Sequence, residues 1–256
     1  MIDPIHALII IAAGMAAGMI NAIVGSGSLI TFPVLLFLGY PPLVANVTNT
    51  VGVVPGSISG SFGYRRELAG QRARAKPLLI AAALGGITGA VLLLVLPASA
   101  FARIVPILIL IACGLVAIQP RLSVWVLERR ARQGNEAHHD GGPILHAGVY
   151  LTGIYGGYFG AAQGVILIAL LSILIDDDLQ RLNGLKNVIA SVVNAIAAII
   201  FLVVASVAIV PAILLAIGST TGGLLGASVG RRLSPLVLRG AIIIVGTVVA
   251  VRLLLG

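Results

Sequence analysis

Long stretches without charge divide this chain and predict its architecture. Residues 4–64, 144–175 and 187–230 contain no Asp, Glu, Lys or Arg over 61, 32 and 44 positions. A membrane-spanning helix needs about 20 apolar residues, so each stretch holds more than one element, with breaks at Gly, Pro and Asn. The pattern predicts ten helical elements, five on each side of a polar linker: residues 5–24, 28–38, 42–62, 77–96, 104–118, 144–159, 164–175, 182–205, 209–227 and 240–255.

The composition places these elements in a lipid bilayer. Hydrophobic residues make up 59% of the 256 residues, and charged residues make up 9%. A soluble domain carries about 25% charged residues, so this chain lacks the side chains to cover a water-facing surface. We therefore expect an all-α polytopic integral membrane protein, and we exclude a soluble enzyme, a nucleic-acid-binding domain and a disordered chain.

The basic residues predict how the chain is oriented. The net charge is +8, and 14 of the 16 basic residues fall in four segments, residues 63–76, 121–142, 176–186 and 230–239. Cytoplasmic loops carry the excess of Lys and Arg, so we place these segments in the cytoplasm and both termini on the outer side of the membrane. The domain organisation expected is a first transmembrane repeat over residues 1–120, a cytoplasmic linker over 121–142 and a second repeat over 143–256.

The two halves show weak internal similarity. Residues 18–27 can be laid over residues 153–162, and a polar cluster follows in each half. At an offset of 137 positions, Asn46 falls on Asn183, Asn49 on Lys186 and Thr50 on Asn187. Because five elements is an odd number, the second half begins on the opposite side of the membrane. The pattern therefore predicts inverted repeats, an arrangement typical of secondary transporters.

The element after each Gly-rich turn is short. Residues 28–38 span about 16 Å as a helix, roughly half of a bilayer core, and the sequence leaves open whether they cross or re-enter. Short, Gly-interrupted segments at matching places predict a midplane site. The N-terminus of such a helix offers unpaired N–H groups to an anion, and Ser, Thr and Asn add donors. The predicted substrate-binding residues are Gly25, Ser26, Gly27, Ser28, Asn46, Thr48, Asn49, Thr50, Gly160, Gln163, Gly164, Asn183, Lys186 and Asn187.

Several of these residues have a second interpretation. Lys186 is either the counter-charge of the substrate or a lysine that snorkels to the surface and pairs with one of the acidic residues at 176–178. The Asn and Thr residues either line the site or join helices by hydrogen bonds, as we expect for Asn21 and Asn194. The histidines and the one cysteine show no metal-ligand spacing, so we expect no metal, no cofactor and no catalytic residues.

At these motifs the chain resembles the TauE/SafE family of sulfite and organosulfonate exporters. The resemblance is carried by residues 25–33, residues 38–49, residues 182–187 and the basic segment that begins at residue 64, and it covers nearly the whole chain. It implies a multi-pass exporter of a small sulfur-containing anion in a bacterial inner membrane, so that the two termini expected on the outer side are periplasmic. The chain departs from the family in its Gly-Ser-Gly-Ser turn and at Gln163, where small residues are common, and both departures bear on which anion fits.

The resulting hypothesis is a secondary transporter that works by alternating access and is driven by the proton gradient or the membrane potential. The chain has no phosphate-binding GxxxxGK[ST] motif, which argues against an ATP-driven pump within it. The alternatives are an anion channel and an importer of thiosulfate-like or other small organic anions. The sequence does not decide whether protons are the coupling ion or whether the protein forms a homo-oligomer.

Overall fold

The protein is all α-helical, as the hydrophobic pattern predicts. The computed structural model describes residues 3–133, 142–229 and 235–255, and in these ranges it contains ten helices and no strand. The helices are α1 (Pro4–Ile23), α2 (Ser28–Phe37), α3 (Pro42–Gly63), α4 (Arg72–Val95), α5 (Ala98–Gln133), α6 (Gly142–Tyr158), α7 (Gln163–Leu174), α8 (Leu179–Val204), α9 (Ile209–Val229) and α10 (Pro235–Leu255).

Most helices begin and end within a few residues of the predicted bounds, but α5 does not. It has 36 residues, about 54 Å of helix, whereas the hydrophobic pattern predicts residues 104–118 only. The prediction ended where charges begin, yet a helix that leaves the bilayer continues with polar residues facing water. Residues 121–133 of the expected linker therefore extend α5, and residues 134–141 lie outside the described residues, as do Arg231 and Arg232.

Within the described ranges, five helical segments are long and apolar enough to cross a membrane. They are Pro4–Ile23, Arg72–Val95, Ala98–Arg121, Leu179–Val204 and Ile209–Gly226. Two helices are much shorter. The α2 helix has 10 residues and a length of about 15 Å, and α7 has 12 residues and a length of about 18 Å. Each short helix follows an interruption in the chain after α1 or α6.

Helices of one half pack mainly against helices of the other half. The pairs α1–α9, α3–α9 and α2–α10 correspond to α6–α4, α8–α4 and α7–α5 when each helix is exchanged for the one five places along. Glycines make the closest crossings: Gly85 lies against Gly153 between α4 and α6, and Gly218 lies against Met15 between α9 and α1. Small residues let helix backbones approach each other without losing dispersion contacts.

The central pair, α3 and α8, runs antiparallel. The Ser61 and Ser191 hydroxyl oxygens are 2.9 Å apart, and the Ala208 N–H beyond the end of α8 donates to the Thr48 hydroxyl near the start of α3 at 3.0 Å. At the other end, Tyr64 lies against Gly184 in the first turns of α8. The start of each helix therefore lies beside the end of the other.

Candidate substrate site

The interruptions after α1 and α6 meet in the interior of the protein. Gly25 and Gly160 have φ angles of 84° and 77°, in the left-handed region that favours glycine. The Gly164 N–H donates to the Gly25 carbonyl oxygen at 3.0 Å, which joins the two halves at their turns. The first turn is also held by Asn21, whose Oδ1 accepts from the Gly27 N–H at 3.1 Å.

A small cavity of about 20 Å³ lies beside this contact, with room for one or two water molecules. Five glycines and two alanines line it and fill little of the space, and the other lining residues are polar. Seven of the predicted site residues line it, namely Gly25, Ser28, Gly160, Gln163, Gly164, Lys186 and Asn187, together with Asn21, Ala22, Gly56, Ser57, Gly60, Ala190 and Asn194.

Lys186 brings a buried amino group to the cavity. Its side chain is 1% exposed, and its Nζ donates to the carbonyl oxygens of Asn21 and Ala22 at 3.4 and 3.5 Å. No carboxylate of the described residues forms an ion pair with it. The interpretation of Lys186 as a snorkelling surface lysine is therefore wrong.

The acidic turn before α8 pairs with arginines instead. The Asp177 carboxylate accepts from Arg74 and Arg181, each at 2.8 Å, and ties α4 to the start of α8. Partial burial raises the pKa of Asp177, but hydrogen bonds from Arg74 and the Asp178 backbone, with the charge of Arg181, outweigh this and hold the pKa below its usual value. Asp178 caps α8 by accepting from the Gln180 N–H at 2.8 Å.

Three side chains of α8 converge on the last turn of α1. The Ala22 carbonyl oxygen accepts from Asn183 Nδ2 at 3.3 Å, from Asn187 Nδ2 at 3.2 Å and from Lys186. Such carbonyls have no partner within their own helix and carry its negative dipole end, so amide and ammonium donors suit them. Asn183 thus contacts α1 without lining the cavity.

The polar cluster of the first half lies away from the cavity. Asn46 Nδ2 donates to the Tyr158 carbonyl oxygen at 3.0 Å, so it contacts the end of α6 as Asn183 contacts the end of α1. The Thr31 hydroxyl donates to Asn49 Oδ1, and the Thr50 hydroxyl donates to the Asn46 carbonyl oxygen at 3.0 Å. The bond from Thr50 stays within α3, whereas the bonds of Asn46 and Asn49, with the bond from Ala208 to Thr48, hold α3 to neighbouring elements.

Two further predicted residues, Ser26 and Gly27, lie outside the cavity lining. Ser26 is 1% exposed, and its hydroxyl has no hydrogen-bond partner in the protein. Gly27 lies against the Ala17 backbone, where a side chain would overlap α1. Gly27 therefore serves the close packing of α1 and α2.

The sequence analysis missed Ser57, and it assigned Asn194 to packing. Both line the cavity, and Ser57 Oγ is buried without a hydrogen-bond partner, as is Gln163 Nε2. An unpaired buried donor is costly, so it marks a place where a ligand atom can bind. The sequence does carry a signal for Ser57, because it falls on Asn194 at the same offset of 137 positions.

The backbone at the start of the short helices is largely occupied, contrary to the expectation of unpaired N–H groups. The Gln163 N–H donates to the Gly160 carbonyl oxygen at 3.2 Å, and the N–H groups of Gly27 and Gly164 are bonded as described above. Side-chain donors therefore supply the polar contacts that this cavity offers. Among the described residues no three His, Cys, Asp or Glu side chains cluster as metal ligands.

Comparison with known proteins assigns the family. The sequence profile described as "Sulfite exporter TauE/SafE" matches residues 10–253. The chain is 24% identical over 254 residues to "Probable membrane transporter protein YfcA" of Escherichia coli K12, covering 99% of this chain and 91% of that protein. It is 26% identical over 249 residues to "Probable membrane transporter protein" of Haemophilus influenzae Rd, covering 96% and 93%. No solved structure matches the chain. The protein is a multi-pass membrane protein and belongs to the TauE/SafE family of membrane transporters.

Proposed function

We propose that the protein is a secondary transporter that exports a small sulfur-containing anion, such as sulfite or an organosulfonate, across the bacterial inner membrane by alternating access. The substrate class follows the family description, and the charge of the substrate is supported by the site. The observation that carries the proposal is Lys186, a buried cation at the contact between the two halves, without an ion-pair partner among the described residues.

A buried charge without a partner is unfavourable by several kcal/mol, so a bound anion would stabilise this lysine. The neutral donors around it complete an oxyanion site. Ser57 Oγ and Gln163 Nε2 are both buried without partners, and both line the same cavity. Asn187 adds an amide beside Lys186, and the described residues that line the cavity include no Asp or Glu to repel an anion.

The arrangement of the halves supports inverted repeats, which we propose for residues 1–120 and 143–256. Equivalent residues of the two halves line the same cavity: Gly25 with Gly160, Ser28 with Gln163, and Ser57 with Asn194. The equivalent helices α3 and α8 are antiparallel, as inversion requires. Transporters of this design bind substrate at the repeat interface and rock one half against the other.

The distribution of basic residues supports our proposal for the orientation of the protein in the membrane. The basic segments 63–76 and 176–186 lie together, since Arg74 and Arg181 share Asp177. We propose that this face is cytoplasmic and that both termini are periplasmic. Coupling to the proton gradient or to the membrane potential is part of the proposal. A cavity of about 20 Å³ is too small for a continuous open pore, which favours alternating access over an anion channel.

The test is ligand-dependent thermal stability in detergent. Sulfite, thiosulfate, sulfate, sulfoacetate, taurine and acetate are added to the wild type, to Lys186→Ala and to Lys76→Ala, which removes the only other lysine of the chain. An anion at 100 times its dissociation constant stabilises the fold by about 2.7 kcal/mol.

We expect a sulfur anion to raise the melting temperature of the wild type and of Lys76→Ala, and to leave Lys186→Ala unchanged. A response in all three proteins would place the anion elsewhere, and no response to any anion would remove the support for an anion site. A response to acetate and not to the sulfur anions would favour the importer of organic anions.

A further inference from the structure

We infer that the two ends of the α3–α8 pair form unequal half-sites for the same anion, a charged one at Lys186 and a neutral one at Asn49. Affinity for the anion then differs between the two faces of the membrane. This inference rests on the proposed transport, because it concerns how the substrate is released after the halves have moved.

The two residues occupy equivalent places at opposite ends of the pair. Lys186 follows the first residue of α8 by seven positions, and Asn49 follows the first residue of α3 by seven positions. Because α3 and α8 are antiparallel, the two side chains lie towards opposite faces. Eight residues, about 12 Å along the helix, separate Lys186 from Asn194 and Asn49 from Ser57. Asn194 and Ser57 meet at the cavity between them.

From Ser57 and Asn194 the cavity extends towards Lys186. Its lining from α3 is Gly56, Ser57 and Gly60, which belong to the half of α3 nearer to Lys186, and its lining from α8 includes Lys186 itself. Asn49 does not line the cavity. In this structure the charged half-site at Lys186 therefore shares the cavity with Ser57 and Asn194, and the neutral half-site at Asn49 is separated from it.

The Asn49 end is closed by one contact within the first half and by two contacts between the halves. The Thr31 hydroxyl of α2 donates to Asn49 Oδ1, and Asn46 Nδ2 donates to the Tyr158 carbonyl oxygen at 3.0 Å. The Phe32 and Phe159 rings pack edge to face with centroids 5.4 Å apart, and both are buried. An anion that leaves past Asn49 requires these contacts to separate.

Exchange of the two conformations gives the second state. We take access to switch when each half adopts the conformation that the other half has here, which the matching helix pairs of the two halves permit. Asn49 and Thr50 would then line the cavity in the places that Lys186 and Asn187 hold here, and Lys186 would withdraw from it. The anion is thus bound against an ammonium on one side and against an amide on the other.

The difference in charge sets the difference in affinity. Hydrogen bonds to an ionised donor are roughly twice as strong as those between neutral groups, and loss of one weakens binding by about tenfold or more. Such an asymmetry does not determine the direction of net transport, which the gradients determine. It lowers KM at the face reached through Lys186, so the protein saturates there at a lower concentration of anion.

The experiment measures KM at each face separately. Initial rates of radiolabelled sulfite uptake are recorded in right-side-out and in inverted membrane vesicles that contain the wild type, Lys186→Asn, or the exchanged pair Asn49→Lys with Lys186→Asn. We expect a lower KM at one face of the wild type. Lys186→Asn should raise KM at that face by about tenfold or more and leave the other face unchanged. The exchanged pair should reverse the asymmetry.

The outcomes separate this inference from the proposed function. No saturable sulfite uptake at either face of the wild type would overturn both. Saturable uptake with equal KM at the two faces, or an equal rise at both faces in Lys186→Asn, would overturn the inference alone. If the exchanged pair does not fold, as judged by its melting temperature, the KM values of the single Lys186→Asn variant at the two faces still test the inference.

Discussion

The contact between Gly25 and Gly164 predicts a stability series in which two separate effects add. A Cβ at either glycine would overlap the backbone of the other, and Gly25 also has a φ of 84°. Gly25→Ala therefore combines a strained backbone with a steric overlap. Gly164→Ala has the overlap alone. Gly39→Ala has the strain alone, because Gly39 has a φ of 86° and open space around its Cβ position.

The magnitudes follow from the two effects. A left-handed alanine costs about 1–2 kcal/mol, and overpacking against a rigid neighbour costs about 1–3 kcal/mol. Gly39→Ala and Gly164→Ala should each show one of these losses in the free energy of unfolding. Gly25→Ala should lose about 2–5 kcal/mol, which lowers the melting temperature by about 4–20 °C for a protein of this size.

Cys113 provides the assay. It is the only cysteine in the chain, and it is buried, so a thiol-reactive dye in detergent reports unfolding directly. Equal melting temperatures for Gly25→Ala and Gly39→Ala would refute the predicted overlap with the Gly164 backbone, and with it the contact between the turns at Gly25 and Gly164. A neutral Gly164→Ala would lead to the same conclusion from the other side of the contact.

Three further predictions use the same melting assay. Lys186→Met should melt at or above the wild-type temperature without substrate, since it removes a buried charge; a large loss would show that the bonds to α1 outweigh desolvation. Ser57→Ala should leave the free energy of unfolding unchanged, because the Ser57 hydroxyl has no hydrogen-bond partner in the protein. Ser219→Ala should lower it by about 1 kcal/mol, because it removes the 2.8 Å hydrogen bond from Ser219 to the Gly52 carbonyl oxygen; equal losses in the two variants would contradict this. Asp177→Asn should be less stable than the wild type at neutral pH. Because the pKa of Asp177 is lowered in the fold, this difference disappears as pH falls through the folded pKa; a constant difference would contradict the pairing.

The sequence predicted the helices well because hydrophobic runs and their breaks follow from the need to bury or bond every backbone group in lipid. Hydrophobic runs located all ten described elements, and Gly and Pro marked the interruptions. The same rule fails where a helix leaves the bilayer. The α5 helix continues to Gln133 through a segment that contains charged residues, and hydropathy does not register this.

The predicted site residues that line the cavity are mostly those close in sequence to the interruptions. Gly25, Gly160 and Gln163 line the cavity, and Lys186 is buried there as the counter-charge hypothesis requires. Asn46 and Asn49 were predicted on their residue types, but a polar residue in an apolar helix looks the same whether it binds a ligand or another helix. Only the fold shows that these two amides face partners in α6 and α2.

Ser57 shows what a sequence comparison between the halves can add to motif reading. A lone serine in α3 carries no signal by itself, because serines there also bond to the preceding turn, as Ser61 does to the Ser57 carbonyl oxygen at 2.9 Å. The offset that relates Asn49 to Lys186 also relates Ser57 to Asn194, and both of the latter line the cavity. If the two halves are repeats, a cavity-lining position in one half predicts a position in the other, even where the residue types differ. Under our proposal, the exchange of lysine for asparagine at the first pair is a difference in anion affinity between equivalent places, which the vesicle experiment measures.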